Sequence, residues 1–330
     1  MKIGKMRLQM KKVEKKLHRL KRNQLMRDLC SETSFSLSHF VQPIFVNEGI
    51  IDNKEIIGLK NNFVMSLDNC FKQIDDDLNK EVRNFLLFIS PHKKSDSSFN
   101  LDFHQKAISS IKDRFNNDIN LWTDVCLCSL TDHGHCCLFN EDQSIDIDRT
   151  LEEISKIALS YVQAGSDIIA PSDMMDGRTL SIRKILDKEK FSMKPIVSYS
   201  TKFSSNFYGP FREAASSAPS FGDRKQYQLD YRSDSEAIRA SLRCAEEGAD
   251  MLMVKPGMTS IDLIMKIKEK TNLMVGSYQV SGEYAGMCLS EEKGLLDLNE
   301  ALKETWHVMR RAGAQFIISY GARLAKEIGF

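Results

Sequence analysis

The chain has 330 residues, 42% of them apolar, and its 46 Lys and Arg nearly balance 45 Asp and Glu for a formal charge of +1. That length buries a large core in one big domain or two modest ones, and the composition is that of an ordinary globular protein. No stretch approaches the roughly 18 uninterrupted apolar residues of a membrane helix, and the N-terminus lacks the apolar run and small-residue cleavage site of a secretory signal. A cytoplasmic protein without membrane insertion is expected.

The first element is a basic arm. Residues 1–27 carry 11 Lys or Arg against the single acid Glu14, leaving 35 basic and 44 acidic side chains beyond. Such a segment suits nucleic acid, anionic lipid or an acidic neighbouring subunit. The arm lacks the aromatic residues that stack on bases in single-strand binders, so no nucleic-acid partner is expected.

Eight short apolar runs follow: VQPIFV (41–46), NFLLFI (84–89), WTDVCLC (122–128), DIIAP (167–171), PIVSYS (195–200), DMLMVK (250–255), LMVGSY (273–278) and QFIISY (315–320). Each is mostly apolar rather than alternating, as in strands buried on both faces of a parallel sheet. Between them lie segments with helical apolar spacing, such as TLEEISKIALSYVQ and SEAIRASLRCAEE. Three strand approaches repeat, QAGSDIIA, EEGADMLM and RAGAQFII, with Gly165, Gly248 and Gly313 placed to stop the preceding helix. Eight β-α units predict a single (β/α)8 barrel of the α/β class over residues 36–330, preceded by the arm over 1–35.

In that fold, active sites gather at the carboxyl ends of the strands. The unusual polar residues fall there: Asp124, Cys126 and Cys128 at the end of strand three, Ser172 to Arg178 after four, Lys202 after five, Lys255 at the end of six, Ser281 after seven and Tyr320 at the end of eight.

Four of the eight cysteines, Cys30, Cys70, Cys244 and Cys288, are scattered and read as structural thiols. Cys126, Cys128 and Cys136 form a C-x-C-x7-C pattern around a Thr-Asp-His-Gly-His turn. Three ligands without an obvious fourth is the pattern of a catalytic zinc with an open position, and thiolates favour zinc over magnesium. His133, His135 and Cys137 offer alternative ligands, and a metal-free or redox-active cluster is the competing reading.

Lys255 ends the apolar run MLMV directly before Pro256, where burial lowers an amine's pKa. Lys202 on the neighbouring strand pushes the same way, and a neutral amine is a nucleophile toward carbonyl substrates. One lysine at a strand end reads first as structural or phosphate-binding; a pair on adjacent strands reverses that and favours amine chemistry. Residues 207–230 are rich in small residues, with Gly209, Pro210, Pro219 and Gly222 breaking any long helix, and read as a lid. Arg212 and Arg224 on that lid would clamp a substrate carboxylate or remain solvated loop charges.

The stretches SYSTKFSSNFYGPFREAASSAPSFGDRKQYQL, GADMLMVKPGM, QVSGEYA and APSDMMDGR resemble the porphobilinogen synthase (5-aminolevulinate dehydratase) family, over roughly residues 15 to 330. The resemblance implies a (β/α)8 barrel condensing two 5-aminolevulinate molecules into porphobilinogen, with loss of two waters, in tetrapyrrole biosynthesis. It implies a Schiff base on Lys255 for the substrate that becomes the acetic-acid side (A side) and one on Lys202 for the propionic-acid side (P side). Arg212 and Arg224, helped by Lys225, would hold the A-side carboxylate, and Ser281 and Tyr320 the P-side carboxylate. Asp124 and Ser172 match positions near the P-side amine, and Tyr208 would pack against the substrates. Zinc would sit on Cys126, Cys128 and Cys136, with Cys137 not required. The segment at 15–29 resembles the family's arm, which wraps a neighbouring subunit and implies an octamer built from dimers; the first 14 or so residues have no counterpart.

Several positions depart from the family pattern. Ala240 stands where members with an allosteric magnesium carry glutamate, so no activation through that site is expected. Gly286 interrupts the usual GEYAM run, and Gly321 replaces an aromatic residue common after Tyr320. The segment 56–68 differs from a Ser-Met-Pro-Gly-like loop, without an expected touch on a chemical residue. Two rival classes are a different lysine aldolase on the same barrel, which needs one Schiff-base lysine and no cysteine trio, and a non-catalytic zinc-binding or assembly protein.

Overall fold

The structure is a computed structural model that describes residues 20–330. The chain divides into a unit ending at Ser34 and a second unit, Phe35–Phe330. Within the first, Gln24–Leu29 form a short helix whose N-terminus is capped by the Asn23 side chain. The start of the basic arm, residues 1–19, lies outside the described residues.

Phe35–Phe330 is built on eight parallel strands: Phe40–Asn47 (β1), Asn84–Ser90 (β2), Asn120–Val125 (β3), Ile168–Pro171 (β4), Val197–Lys202 (β5), Met251–Lys255 (β6), Met274–Gln279 (β7) and Phe316–Ser319 (β8). Ladders join β4-β3-β2-β1-β8-β7-β6-β5 in that order, and a single parallel bridge, Ile169 to Ile196, closes β4 onto β5. The ring is therefore a barrel, as the eight apolar runs predict. Strand three ends earlier than expected, at Val125, because Leu127–Ser129 coil into a 3-10 turn that carries the cysteines out of the ladder. Strand five extends further, through Lys202.

The longer helices are Leu67–Asn79 (α1), Asp102–Phe115 (α2), Ile147–Gln163 (α3), Arg178–Lys188 (α4), Asp234–Glu246 (α5), Asp262–Thr271 (α6), Ser281–Glu292 (α7) and Leu298–Arg311 (α8). α3 shows how sequence makes them. Asp146 caps its first turn, and Ile154, Ile157, Ala158, Tyr161 and Val162 are buried. Each large apolar side chain so buried contributes about 1.5–3 kcal/mol.

The three predicted stop glycines do one job. Gly165, Gly248 and Gly313 have φ of +110°, +96° and +107° after α3, α5 and α8. In each case the glycine N–H and the next N–H turn back onto the last helical turn, as in Gly165 to Val162 and Ser166 to Tyr161, both 3.0 Å. These bonds satisfy carbonyls that a helix end leaves open, and the left-handed backbone they need favours glycine. The chain is thus delivered abruptly to the base of the next strand.

Inside the barrel, Phe316 on β8 lies over Gly276, its register partner on β7, where an added Cβ would come within 2.0 Å of the ring. The same ring meets Trp122 edge-on at 5.2 Å. This aromatic packing fills the barrel interior and leaves chemistry to the carboxyl ends of the strands.

Candidate active site

Lys202 and Lys255 close β5 and β6 as register partners, and both are nearly fully buried. The Lys202 amine donates to the Ser172 carbonyl at the end of β4. The Lys255 amine lies among four rings, with centroids at 5.2 Å for Tyr199, 5.3 Å for Tyr208, 5.0 Å for Phe211 and 4.1 Å for Tyr278. Burial, then the neighbouring Lys202 charge, holds the Lys255 pKa well below the usual lysine range against the pull of Asp124. This leaves a larger share of neutral, nucleophilic amine near neutral pH.

Asp124 points from β3 toward the same space. Burial pushes its carboxyl up to about 6, opposed by Lys202, Ser172 and Lys255, and its Oδ1 has no hydrogen-bond partner. Tyr320, one residue past β8, shares a 3.2 Å hydroxyl contact with Tyr278. Ser281, at the first position of α7, accepts from the Phe211 N–H at 3.1 Å and donates to the Phe207 carbonyl at 3.3 Å. Its hydroxyl ties the start of α7 to the lid. Tyr208 donates to the Phe203 carbonyl at 2.8 Å and turns its ring to Lys255.

The Sγ atoms of Cys126, Cys128 and Cys136 lie within 4.8 Å of one another, and all three residues are buried. Tetrahedral thiolates about 2.3 Å from a zinc ion stand about 3.8 Å apart, so the trio fits such a metal after a small contraction and leaves a fourth position open. Hydrogen bonds from Cys126 and Cys128 hold the Cys136 pKa well below the usual thiol range, with Arg224 adding to the effect, while burial raises Cys126. Cys137 is outside the trio, its thiol pushed up to about 12 by burial. His135 is turned away to Tyr227 at 3.0 Å and the Phe221 carbonyl at 2.9 Å, and His133 faces Asp96 at 3.5 Å. Both alternatives to the cysteine trio are thereby spent elsewhere.

The segment 207–230, expected to be a lid, begins within the 3-10 turn Asn206–Tyr208 and continues into the short helix Gly209–Ala214, consistent with its helix breakers. Three successive lid carbonyls are held by three different donors: Ala215 by the Ser90 hydroxyl, Ser216 by the Lys94 amine and Ser217 by Arg224. Arg224 also reaches the Gly134 carbonyl at 2.8 Å, linking lid and cysteine turn. Arg212 is half-buried with its Nε unpartnered, and its guanidinium makes a long 3.4 Å contact to the Ser205 carbonyl and lies 6.0 Å from the centre of the Tyr208 ring. Both arginines line a cavity of about 880 Å³ that neither lysine lines, as an antechamber would. Lys225, expected to help them, lines the same cavity, is largely exposed and pairs with Asp223 at 3.4 Å.

The sequence reading did not single out Tyr199, Phe211 or Tyr278 around Lys255, nor Tyr227 against the cysteines. Tyr278 stands one residue before the carboxyl end of β7, and that placement is the signal that could have found it, whereas Tyr199 lies in the middle of β5. One expectation is corrected: segment 56–68 does reach the site, because the Asn62 side chain donates to the Tyr320 carbonyl at 3.1 Å. Gly286 leaves α7 unbroken and has open space where a side chain would project. At Gly321 a Cβ would stand 3.0 Å from Leu302 and Tyr284, so that corner is packed for glycine.

The sequence profile of the family described as delta-aminolevulinic acid dehydratase matches residues 14–328. A delta-aminolevulinic acid dehydratase from Helicobacter pylori is 41% identical over 314 residues, spanning 94% of this chain and 97% of that one. The Bacillus subtilis protein of the same name is 40% identical, over 94% and 96% of the two chains. A crystal structure of delta-aminolevulinic acid dehydratase (porphobilinogen synthase) from Toxoplasma gondii, in complex with its reaction product porphobilinogen, superimposes with a TM-score of 0.92 at 34% identity, covering 96% of this chain and 92% of that one.

Proposed function

This chain belongs to the delta-aminolevulinic acid dehydratase family, and from that premise we propose that it acts as a hydro-lyase condensing two 5-aminolevulinate molecules into porphobilinogen with loss of two waters. The observation that carries the reading is the in-register pair Lys202 and Lys255, buried together at the carboxyl ends of neighbouring barrel strands. Two keto substrates call for two amines.

The neutral Lys255 amine adds to the keto carbon of the A-side substrate. The carbonyl oxygen collects two protons and leaves as water, giving a cationic iminium that the four surrounding rings accommodate. Lys202 does the same for the P-side substrate beside Ser172 and Asp124. The iminium withdraws electrons from its adjacent carbon, and loss of a proton there gives the enamine that attacks the partner substrate. The bond forms at the Lys202 iminium carbon, and loss of a neighbouring proton then expels the Lys202 amine. The P-side substrate's free amine adds to the Lys255 iminium carbon, the Lys255 amine leaves, and loss of a ring proton gives the pyrrole with both lysines regenerated. Arg212 and Arg224 hold the A-side carboxylate as the lid closes, and Ser281 and Tyr320 hold the P-side carboxylate, which requires Ser281 to exchange its lid contacts for substrate. Lys225 contributes only if the Asp223 pair opens.

Zinc bound by Cys126, Cys128 and Cys136 would supply Lewis acidity beside the A-side amine. The thiolate donor set and its open fourth position support that metal, and Ala240 supports the absence of magnesium activation. The N-terminal segment mediates assembly, with an octamer of dimers as the state favoured by family resemblance, and a cytoplasmic location fits an enzyme among whose described residues no helix is long and apolar enough to cross a membrane.

The test is borohydride reduction in the presence of 5-aminolevulinate, with peptide mapping of the modified lysines. Adducts on both Lys202 and Lys255 are expected. An adduct on Lys255 alone would favour a single-lysine aldolase, and none on either would overturn the reading.

A further inference from the structure

β5 carries one residue more than the strand it pairs with. Leu252 stands opposite Ser198 and Val254 opposite Thr201, so two steps along β6 match three along β5. The side chains show where the extra residue goes. Ser198 faces outward, its hydroxyl within 3.2 Å of Arg178 and 3.1 Å of Thr179 on α4. Tyr199 faces inward, with Lys202 and Lys255 over its ring. Ser200 and Thr201 then both face outward, and each hydroxyl lies 2.9 Å from the same hydroxyl, that of Ser241 on α5.

Two consecutive outward residues break the two-residue period of a strand. Under strict alternation Thr201 would join Tyr199 in the barrel and Lys202 would turn toward α5. The bulge inverts this and gives Lys202 the same side as its partner Lys255. Ser200, Thr201 and Ser241 are all fully buried, so their hydroxyls have no water to fall back on. One hydroxyl can donate once and accept as well, and Ser241 donates to Ser200 while also meeting Thr201.

We infer that Ser241 is a positioning residue for the condensation: its hydroxyl pins both bulge residues to α5 and thereby aims the Lys202 amine at the substrate. It touches neither substrate nor lysine. The inference rests on the reading of Lys202 as a Schiff-base amine. Removing the common partner leaves two buried hydroxyls short of a bond and frees the strand to slip toward regular alternation.

The experiment compares borohydride-trapped adducts of 5-aminolevulinate on the full chain. Wild-type protein is expected to carry adducts on both lysines. In Ser241→Ala the Lys202 adduct should fall relative to the Lys255 adduct by about tenfold to a hundredfold, the range a roughly 1 Å misplacement costs, and kcat should fall with it. Ser241→Thr, which keeps the hydroxyl, should restore the ratio. An unchanged adduct ratio in Ser241→Ala overturns the inference, and so does an equal loss at both lysines, which marks general disruption. If Ser241→Ala does not fold, Ser200→Ala combined with Thr201→Val carries the same expectations. Wild-type protein without any adduct on Lys202 would sink the reading of that lysine itself, a result separate from the variant comparison.

Discussion

The Lys255 amine lies 4.1 Å from the centre of the Tyr278 ring, nearer than to any of the three other rings around it. A ring face at that distance stabilises a cation without pairing it with an anion, and the iminium proposed on Lys255 would be a cation of the same kind. Burial and Lys202 disfavour the free ammonium, which leaves more of the neutral, nucleophilic amine before the covalent step. Lys255→Met, close in shape and unable to form an iminium, should lower porphobilinogen production by about 10³-fold or more while far-UV dichroism stays unchanged. Retained production would remove Lys255 from the chemistry.

The cysteine trio is held by outer contacts. Tyr227 packs against the three thiols, its hydroxyl receives the Cys136 N–H at 3.4 Å and it meets His135 at 3.0 Å. Such outer partners typically account for 10–100-fold in metal affinity. Tyr227→Phe should therefore weaken zinc binding by about tenfold or more in competition with a chelating dye. Chelation of the parent protein should abolish activity, with recovery on adding zinc and none on adding magnesium. Activity that survives stringent chelation would exclude a catalytic metal at the trio.

Asp124 is expected to set an acid limb. Its carboxyl is pushed up to about 6 because burial outweighs Lys202, Ser172 and Lys255. The group is neutral below that value and charged above it, so a step that needs the carboxylate near the P-side amine slows as pH falls through about 6. The pH profile of kcat/KM should bend there, and Asp124→Asn should lower the plateau and erase the bend. A bend that persists in the variant would assign it to another group.

The loop after β4 depends on a buried ion pair, Asp173 with Arg178, 3.6 Å apart and fully enclosed. Arg178 also donates to the Tyr199 carbonyl at 2.9 Å, so the pair braces β5 from behind the site. Asp173→Ala strands a buried guanidinium and should cost about 3–5 kcal/mol in denaturant unfolding. Burial raises the folded Asp173 pKa to about 6, above its value in the unfolded chain. The stabilisation linked to its proton is thus complete below the unfolded pKa and lost as pH rises through about 6, so the variant's penalty should be larger near pH 5 than near pH 8. A penalty that grows with pH would contradict this assignment.

Much of the molecule is written locally. Apolar runs of strand length, helical apolar spacing and three glycines with φ near +100° define the β-α repeat, because each depends on neighbours a few residues away. The cysteine trio is equally legible, since Cys126 and Cys128 flank one turn and Cys136 closes the next. The long motifs around both lysines identified the family before any fold was known. Asn62 was misread for the opposite reason: its side chain reaches a carbonyl 258 positions away.

Sequence alone therefore determined the barrel and the family, and put both Lys202 and Lys255 at strand ends, through short-range periodicity and local motif. It did not determine which way Lys202 points. Tyr199 and Lys202 are three residues apart, and a two-residue period puts them on opposite faces of β5. Only the packing of α5 against that strand, where Ser241 bonds both Ser200 and Thr201, admits the extra residue that turns Lys202 into the barrel beside Lys255. The aim of that amine is a property of a contact between elements, and no pattern within either element encodes it.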